Sequence, residues 1–304
     1  MGRGVRPGAK GRGRIGGAGG GGLVLPRPVL AAVAGVFVAL ALWAAPASAT
    51  WTVLAIDRST GQVVIASATC VSQGALRNFP SEGLWDVQAV VVPGRGVAAA
   101  QAAVDRSREN QMLLHRELQA GTDPEAILEQ LRTDPAIERR QFGILDLEGR
   151  ALTFSGQENG SVALGVTEAT EGPDGASIHF AVFGNILASE AVVHEGARAF
   201  REAEGSLTDR VMAAMVAADL EGGDRRCGCD TEPVPEAACS HRTAHVAYIL
   251  AADPDDAVKP EGHNRGDWSL FLHATDENIE PHEDANPVTT LQMRYQAWRE
   301  DPTG

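Results

Sequence analysis

The chain reads as an α+β protein of stacked helical and antiparallel-sheet layers, and three observations lead there. Its segments come in blocks, in the order strands, two helices, strands, two helices, strand. Turn residues between Asp57 and Gly61, and again at Leu147-Glu148-Gly149-Arg150, join neighbouring strands as hairpins, which a simple alternating parallel sheet lacks. Residues 50–304 show no internal repeat and no second boundary, and suffice for one large domain with a substantial core. Two helix pairs laid against such sheets stack as helix, sheet, sheet and helix, a four-layer αββα sandwich.

Residues 1–49 stand apart as a secretory leader. Arg3, Arg6, Lys10, Arg12, Arg14 and Arg27 form a basic start without acidic residues. The run 29–45 is continuously apolar or small, and Pro46 with Ala47-Ser48-Ala49 supplies a small-residue cleavage site. Seventeen apolar residues are also close to the lower limit of a membrane span, so a retained anchor is the alternative to cleavage. A cut after Ala49 leaves Thr50 first. A terminal threonine carries a hydroxyl nucleophile and, on the same residue, an α-amine that titrates near neutrality and serves as its base. Thr50 otherwise simply opens a strand, where β-branched residues are favoured.

The elements follow in order. Residues 51–56 and 62–69 are two β-rich strands around the first turn. Residues 87–92, stopped by Pro93-Gly94, and 96–103 read as two more. The segment 106–120 is a helix closed by Gly121; 123–132 is another, opened by Asp123 as cap and Pro124 at the first helical position. Strands at 142–146 and 151–154 flank the second hairpin turn, and 178–183 is a strand running into Gly184-Asn185. Helices are expected at 189–204 and 207–220, strands at 245–251 and 270–273, and a last helix at 288–299.

Removing residues 1–49 takes away six basic side chains and shifts the formal charge from −14 to −20. A nucleic-acid binder needs a basic face, so that class is disfavoured. No second long apolar segment follows, so nothing downstream would hold the cleaved chain in a membrane. All four cysteines, Cys70, Cys227, Cys229 and Cys239, follow the leader, and an exported even set reads first as disulfides. Cys227 and Cys229 are too close for comfortable pairing, so one joins Cys239 and the other reaches Cys70. Zinc on Cys227, Cys229, Cys239 and His241 is the competing reading, at spacings unlike those of common zinc fingers. No paired-histidine helix, calcium loop or Gly-x-Ser-x-Gly elbow occurs, so the sequence implies no cofactor or metal and disfavours a classical serine hydrolase.

Several blocks in order carry a family resemblance: Thr50-Trp51-Thr52-Val53 with Asp57 and Thr60-Gly61; Arg140-Gln141-Phe142-Gly143-Ile144-Leu145-Asp146 with Gly149-Arg150; Gly184-Asn185-Ile186-Leu187-Ala188; and Gly222-Gly223-Asp224-Arg225-Arg226. Residues 284–295, where Asn286-Pro287-Val288 precedes a helix, match the closing segment. From Thr50 to about Trp298 the chain resembles the bacterial family catalogued as domain of unknown function 1028, placed by fold among the N-terminal nucleophile hydrolases. The resemblance implies the four-layer αββα fold with a threonine opening the first strand. Family members usually begin Met-Thr, and methionine removal exposes that threonine. This chain departs at Ala100-Gln101, where Thr-Gln is usual, and at Phe183-Gly184-Asn185, where Gln-Gly-Asn is usual. It also inserts the cysteine-bearing segment 227–240.

Such a fold implies that Thr50 attacks the carbonyl of a small amide or peptide-like substrate, its own amine taking the proton. Asn185 is either the oxyanion donor or a turn residue. Asp224 and Arg225 either orient the amine and bind substrate or form a structural ion pair, and Gln141 is divided between site and scaffold. The competing function is a non-catalytic protein that keeps the fold and binds a small or cell-envelope ligand. The oligomeric state, a homo-oligomer included, stays open.

Overall fold

The computed structural model describes residues 50–79, 81–172, 175, 177–259 and 265–301; the leader and its cleavage site fall outside them. In chain order the elements are β1 (Thr50–Asp57), β2 (Val63–Thr69), α1 (Gln73–Leu76), α2 (Leu84–Gln88), β3 (Ala89–Val92), β4 (Gly96–Ala102), α3 (Glu109–Ala120) and α4 (Pro124–Leu131). Then come β5 (Arg140–Asp146), β6 (Ala151–Ser155), β7 (Ala163–Glu171), β8 (Ser177–Asn185), α5 (Ala191–Glu202), α6 (Leu207–Leu220), β9 (Val246–Ala252), β10 (Leu270–Thr275) and α7 (Pro287–Glu300). They form a mixed α+β fold with two antiparallel sheets. One has six strands in the order β10-β9-β2-β1-β8-β7, and the other four in the order β3-β4-β5-β6.

Strand alternation sorts the core into three apolar clusters. Leu54 and Ile56 of β1 join Ile65, Val91, Leu145, Phe183 and Tyr248 between the two sheets. Trp51, Val53 and Ala55 point the other way and pack with Phe180, Phe200 of α5, Val211 and Met215 of α6, and Leu291 of α7. Phe142 and Ile144 of β5 meet Leu114 and Leu118 of α3 and Ile127 of α4 on the outer face of the four-stranded sheet. Each large side chain so buried contributes on the order of 1.5–3 kcal/mol before ordering entropy is counted. Strand β1 is covered on both faces, which explains its nearly unbroken apolar sequence.

Three local readings change. The strand expected at 87–92 begins only at Ala89, because Leu84–Gln88 is helical and buries Trp85 and Gln88. The helix expected from 106 begins at Glu109. Asp105 caps the preceding turn by accepting from Ser107 N and Asn110 N, and Arg108 is left-handed at φ 62°. Strand β7 was not expected, since its small and acidic residues have no strong apolar period; it is an edge strand with one half-exposed face. Helix α4 starts as expected, with the Asp123 carboxylate accepting from Glu125 N at 2.9 Å and Pro124 inside the first turn. Cys70 pairs with Cys227 and Cys229 with Cys239, one of the two pairings that the spacing left open. The zinc set is not formed: its four members divide between the two disulfides and a His241–Asp219 hydrogen bond.

Candidate active site

Thr50 heads β1, a central strand, and antiparallel register places it in one row across five strands. Ala163 of β7 pairs with Asn185 of β8, Asn185 with Thr50, Thr50 with Thr69 of β2, and Thr69 with Val246 of β9. The period of two puts Thr50 on the same face as Thr52 and Leu54, towards the four-stranded sheet. Its Oγ1 donates to Thr69 Oγ1 at 3.3 Å, and the residue is 1% exposed. In the facing sheet Gln101, Gln141 and Ser155 form a second row. The site is the place where the two rows meet.

Side-chain amides join them. Gln88 Nε2 donates to Gln101 Oε1 at 2.7 Å and to Thr52 Oγ1 at 2.6 Å. Gln101 Nε2 donates to Gln141 Oε1 at 2.7 Å and, at 3.4 Å, to the Thr50 carbonyl. Gln141 Nε2 donates to the Gly184 carbonyl at 2.7 Å and to Ser155 Oγ at 2.6 Å. A carbonyl only accepts, so the Gly184 contact fixes which end of the Gln141 amide is nitrogen. Gln141 Oε1 must therefore accept, and the Asn185 contact at 3.0 Å must come from Asn185 Nδ2. Asn185 is left with one N–H of its amide uncommitted and with Oδ1 buried and without a partner. Gln141 thus belongs to the scaffold of the site and also holds Asn185 beside Thr50. Gln88 and Gln101 are members that sequence reasoning missed.

The backbone around these amides is tightly constrained. Ile186, directly after Asn185, has φ 51°, and Ala102, directly after Gln101, has φ 70°. A β-branched residue rarely adopts that region, and such strain concentrates at functional sites. Gly184 lies where a Cβ would stand 2.7 Å from the Thr50 carbonyl oxygen and 3.1 Å from Trp51 Cα. We expect Gly184→Val to lower the unfolding free energy by about 1–3 kcal/mol, since backbone of the central strand would have to move. Urea denaturation measures this; a variant as stable as the parent would refute the close approach.

The Gly222-Gly223-Asp224 loop packs against the turn that follows Asn185. Leu187 and Asp224 form a β-bridge, and Ala188 N donates to the Gly223 carbonyl at 3.0 Å. Asp224 is fully buried; its Oδ2 accepts from Cys70 N at 2.8 Å, and its ion pair is with Arg226 at 2.7 Å. Arg225 instead turns outward to Ser161 Oγ at 2.7 Å. Of the residues expected here, the structure thus brings Thr50, Asn185 and Gln141 into direct array. Asp224 lies one layer behind, through Cys70, and Arg225 lies at the rim beside the start of β7.

Cys70 Sγ, Cys227 Sγ and a His245 ring nitrogen lie within 4.8 Å of one another. The sulfurs are bonded to each other, and Arg242 Nη2 donates to His245 Nδ1, so the trio is not a metal-binding set. Burial, followed by the charges of Arg242 and Arg226, lowers His245 to about 4, so its ring is neutral near pH 7. A cleft of about 560 Å³ opens at the far end of β1, lined in part by Asp57, Thr60, Gln62 and Asp253. Among the described residues no helix is long and apolar enough to cross a membrane, and the two disulfides suit an oxidising compartment.

Comparison with curated proteins finds no match. Among solved structures the chain is similar to a crystal structure of a Silicibacter pomeroyi protein assigned to DUF1028. The TM-score is 0.57 and the identity 22%, over 83% of this chain and 86% of that one. That likeness concerns the fold. Residues 50–231, more than half of the chain and beginning at Thr50 itself, match the family of unknown function DUF1028, and the chain belongs to that family.

Proposed function

We propose that the protein is an exported hydrolase of the N-terminal nucleophile type, a four-layer αββα sandwich that cleaves the C–N bond of a small amide or peptide-like substrate. The observation that carries this reading is the position of Thr50. It heads a central strand in register with Asn185, with its hydroxyl on Thr69 and its carbonyl facing Gln101. In this reading cleavage after Ala49 frees the α-amine. Thr50 Oγ1 attacks the substrate carbonyl carbon as the amine takes its proton. The second N–H of Asn185 Nδ2 supports the oxyanion, since the first is held by Gln141. The C–N bond breaks, the leaving nitrogen takes the proton from the α-ammonium, and the acyl group remains as an ester on Thr50. Water, deprotonated by the same amine, hydrolyses that ester and restores the hydroxyl. No charged side chain is needed in these steps, and Arg225 and Asp224 act at the rim and behind the site.

A non-catalytic ligand-binding role is the second reading, favoured by the burial of Thr50 and by the cleft at the opposite end of β1. Intact-mass measurement of the exported protein separates the two. A mature chain beginning at Thr50 supports the hydrolase, and any other start removes the amine and with it the mechanism.

A further inference from the structure

Among the described residues a buried amide oxygen beside Thr50 and another at the start of β5 have no donor. Asn185 Oδ1 is one, and its orientation is forced by the Gly184–Gln141–Asn185 chain of contacts. Asn159 Oδ1 is the other. Asn159 Nδ2 donates to the Arg140 carbonyl at 2.6 Å, an atom that only accepts, so the oxygen of Asn159 is equally fixed as the free end. The residues are 0% and 1% exposed. A buried acceptor without a donor costs about 1–3 kcal/mol, and native structures leave few of them.

The two amides are tied to consecutive residues of β5. Asn159 hangs from the main chain of Arg140 and Asn185 from the side chain of the next residue, Gln141. The residues that follow them also touch: a Cβ on Gly160 would lie 2.9 Å from Ile186 Cγ1. Both asparagines are therefore held by the start of β5, beside the row that contains Thr50. Neither amide can turn over to present nitrogen without losing a bond to a carbonyl or setting two amide oxygens against each other.

We infer that Asn159 and Asn185 are an acceptor pair for an NH₂ group, and that the substrate class of this site is a primary amide. Two neutral acceptors match the two hydrogens of a carboxamide nitrogen, whereas a hydroxyl or an N-substituted amide offers one and an ester none. This rests on the proposed reading of Thr50 as the reacting residue, and it adds which side of the substrate is recognised. The group held would be the one that leaves, so the nitrogen product would be ammonia.

The test uses acetamide, N-methylacetamide and N,N-dimethylacetamide, which carry two, one and no N–H groups. Each is titrated into the Thr50→Ala protein and followed by the backbone NMR signals of Gly160, Asn185 and Ile186. Affinity should fall along the series, by about tenfold or more from first to last, although the apolar surface grows. Asn159→Leu should weaken acetamide by a similar factor and leave N,N-dimethylacetamide unchanged, with its fold checked by circular dichroism. A flat or rising series in the Thr50→Ala protein overturns the inference whether or not the leucine variant folds, as does acetamide that moves none of the three signals. Because Thr50→Ala has no nucleophile, selective binding by a protein whose parent hydrolyses nothing would leave the acceptor pair standing and remove the hydrolase reading. Turnover by the parent with a flat binding series would do the reverse.

Discussion

In the proposed mechanism Thr50→Ala should abolish hydrolysis and leave the fold intact. The substitution removes a hydroxyl that donates to Thr69 Oγ1 at 3.3 Å, and Thr69 Oγ1 keeps its 3.3 Å contact from Val71 N. The pairing of the Thr50 backbone with Asn185 and Thr69 does not depend on the side chain. The stability loss is therefore small, within about 1 kcal/mol. The catalytic loss should be complete to the limit of detection, because nothing else in the row is a nucleophile with an amine beside it. Thr50→Ser retains the hydroxyl and the amine and keeps part of the rate. Turnover by Thr50→Ala at the parental rate would remove Thr50 from the mechanism, and the assay must be paired with mass measurement of the mature terminus.

The second large effect belongs to Cys70–Cys227. This bridge spans 157 residues, whereas Cys229–Cys239 spans 10. In the chain-entropy account a crosslink stabilises with the logarithm of the loop it closes, giving about 5 kcal/mol for the long bridge and about 2–3 kcal/mol for the short one. Replacing both cysteines of the long bridge by alanine should thus cost more in urea denaturation than replacing both of the short one. The loss should also be felt at the site, since Cys70 follows Thr69 and its N–H is held by buried Asp224, whose loop supports the turn after Asn185. Equal costs, or a larger cost for the short bridge, would contradict this ordering.

Much of this architecture is legible in the residues themselves. Asp57 and Gly61 mark the first hairpin because an aspartate can bond its own turn and glycine accepts φ 76°. Asp123-Pro124 marks a helix start for equally local reasons. Cys227 and Cys229 are too close to pair, which leaves few schemes. What was not legible depends on partners far along the chain. Gln88 and Gln101 look like surface amides in a hydropathy profile, yet they lie between the sheets because each finds its bonds 13 or more residues away. The partner of Asp224 is Arg226 rather than Arg225 because the loop's path, not its composition, decides which guanidinium turns inward. Strand β7 is recruited by β8 and needs no strong pattern of its own, since Leu164 and Val166 pack against a core already formed.

The network of amides and hydroxyls has a consequence for acid and base behaviour. Thr52, Ser67, Thr69, Gln88, Gln101, Gln141, Ser155 and Asn185 carry no ionisable proton between pH 3 and 10, roughly the span of ordinary assays. Tyr248, which closes the far end of the network on Gln88, is held neutral by burial, which pushes its hydroxyl well above the usual phenol range. In the proposed mechanism the one titrating group in contact with the reacting atoms is then the α-amine of Thr50. The rate should rise with pH as a single sigmoid whose midpoint lies near the ordinary range of an α-amine, about 8, and should not fall again on the alkaline side until the fold fails. A bell-shaped profile, measured where circular dichroism shows the protein intact, would demand a second ionising group that this row of neutral side chains does not contain.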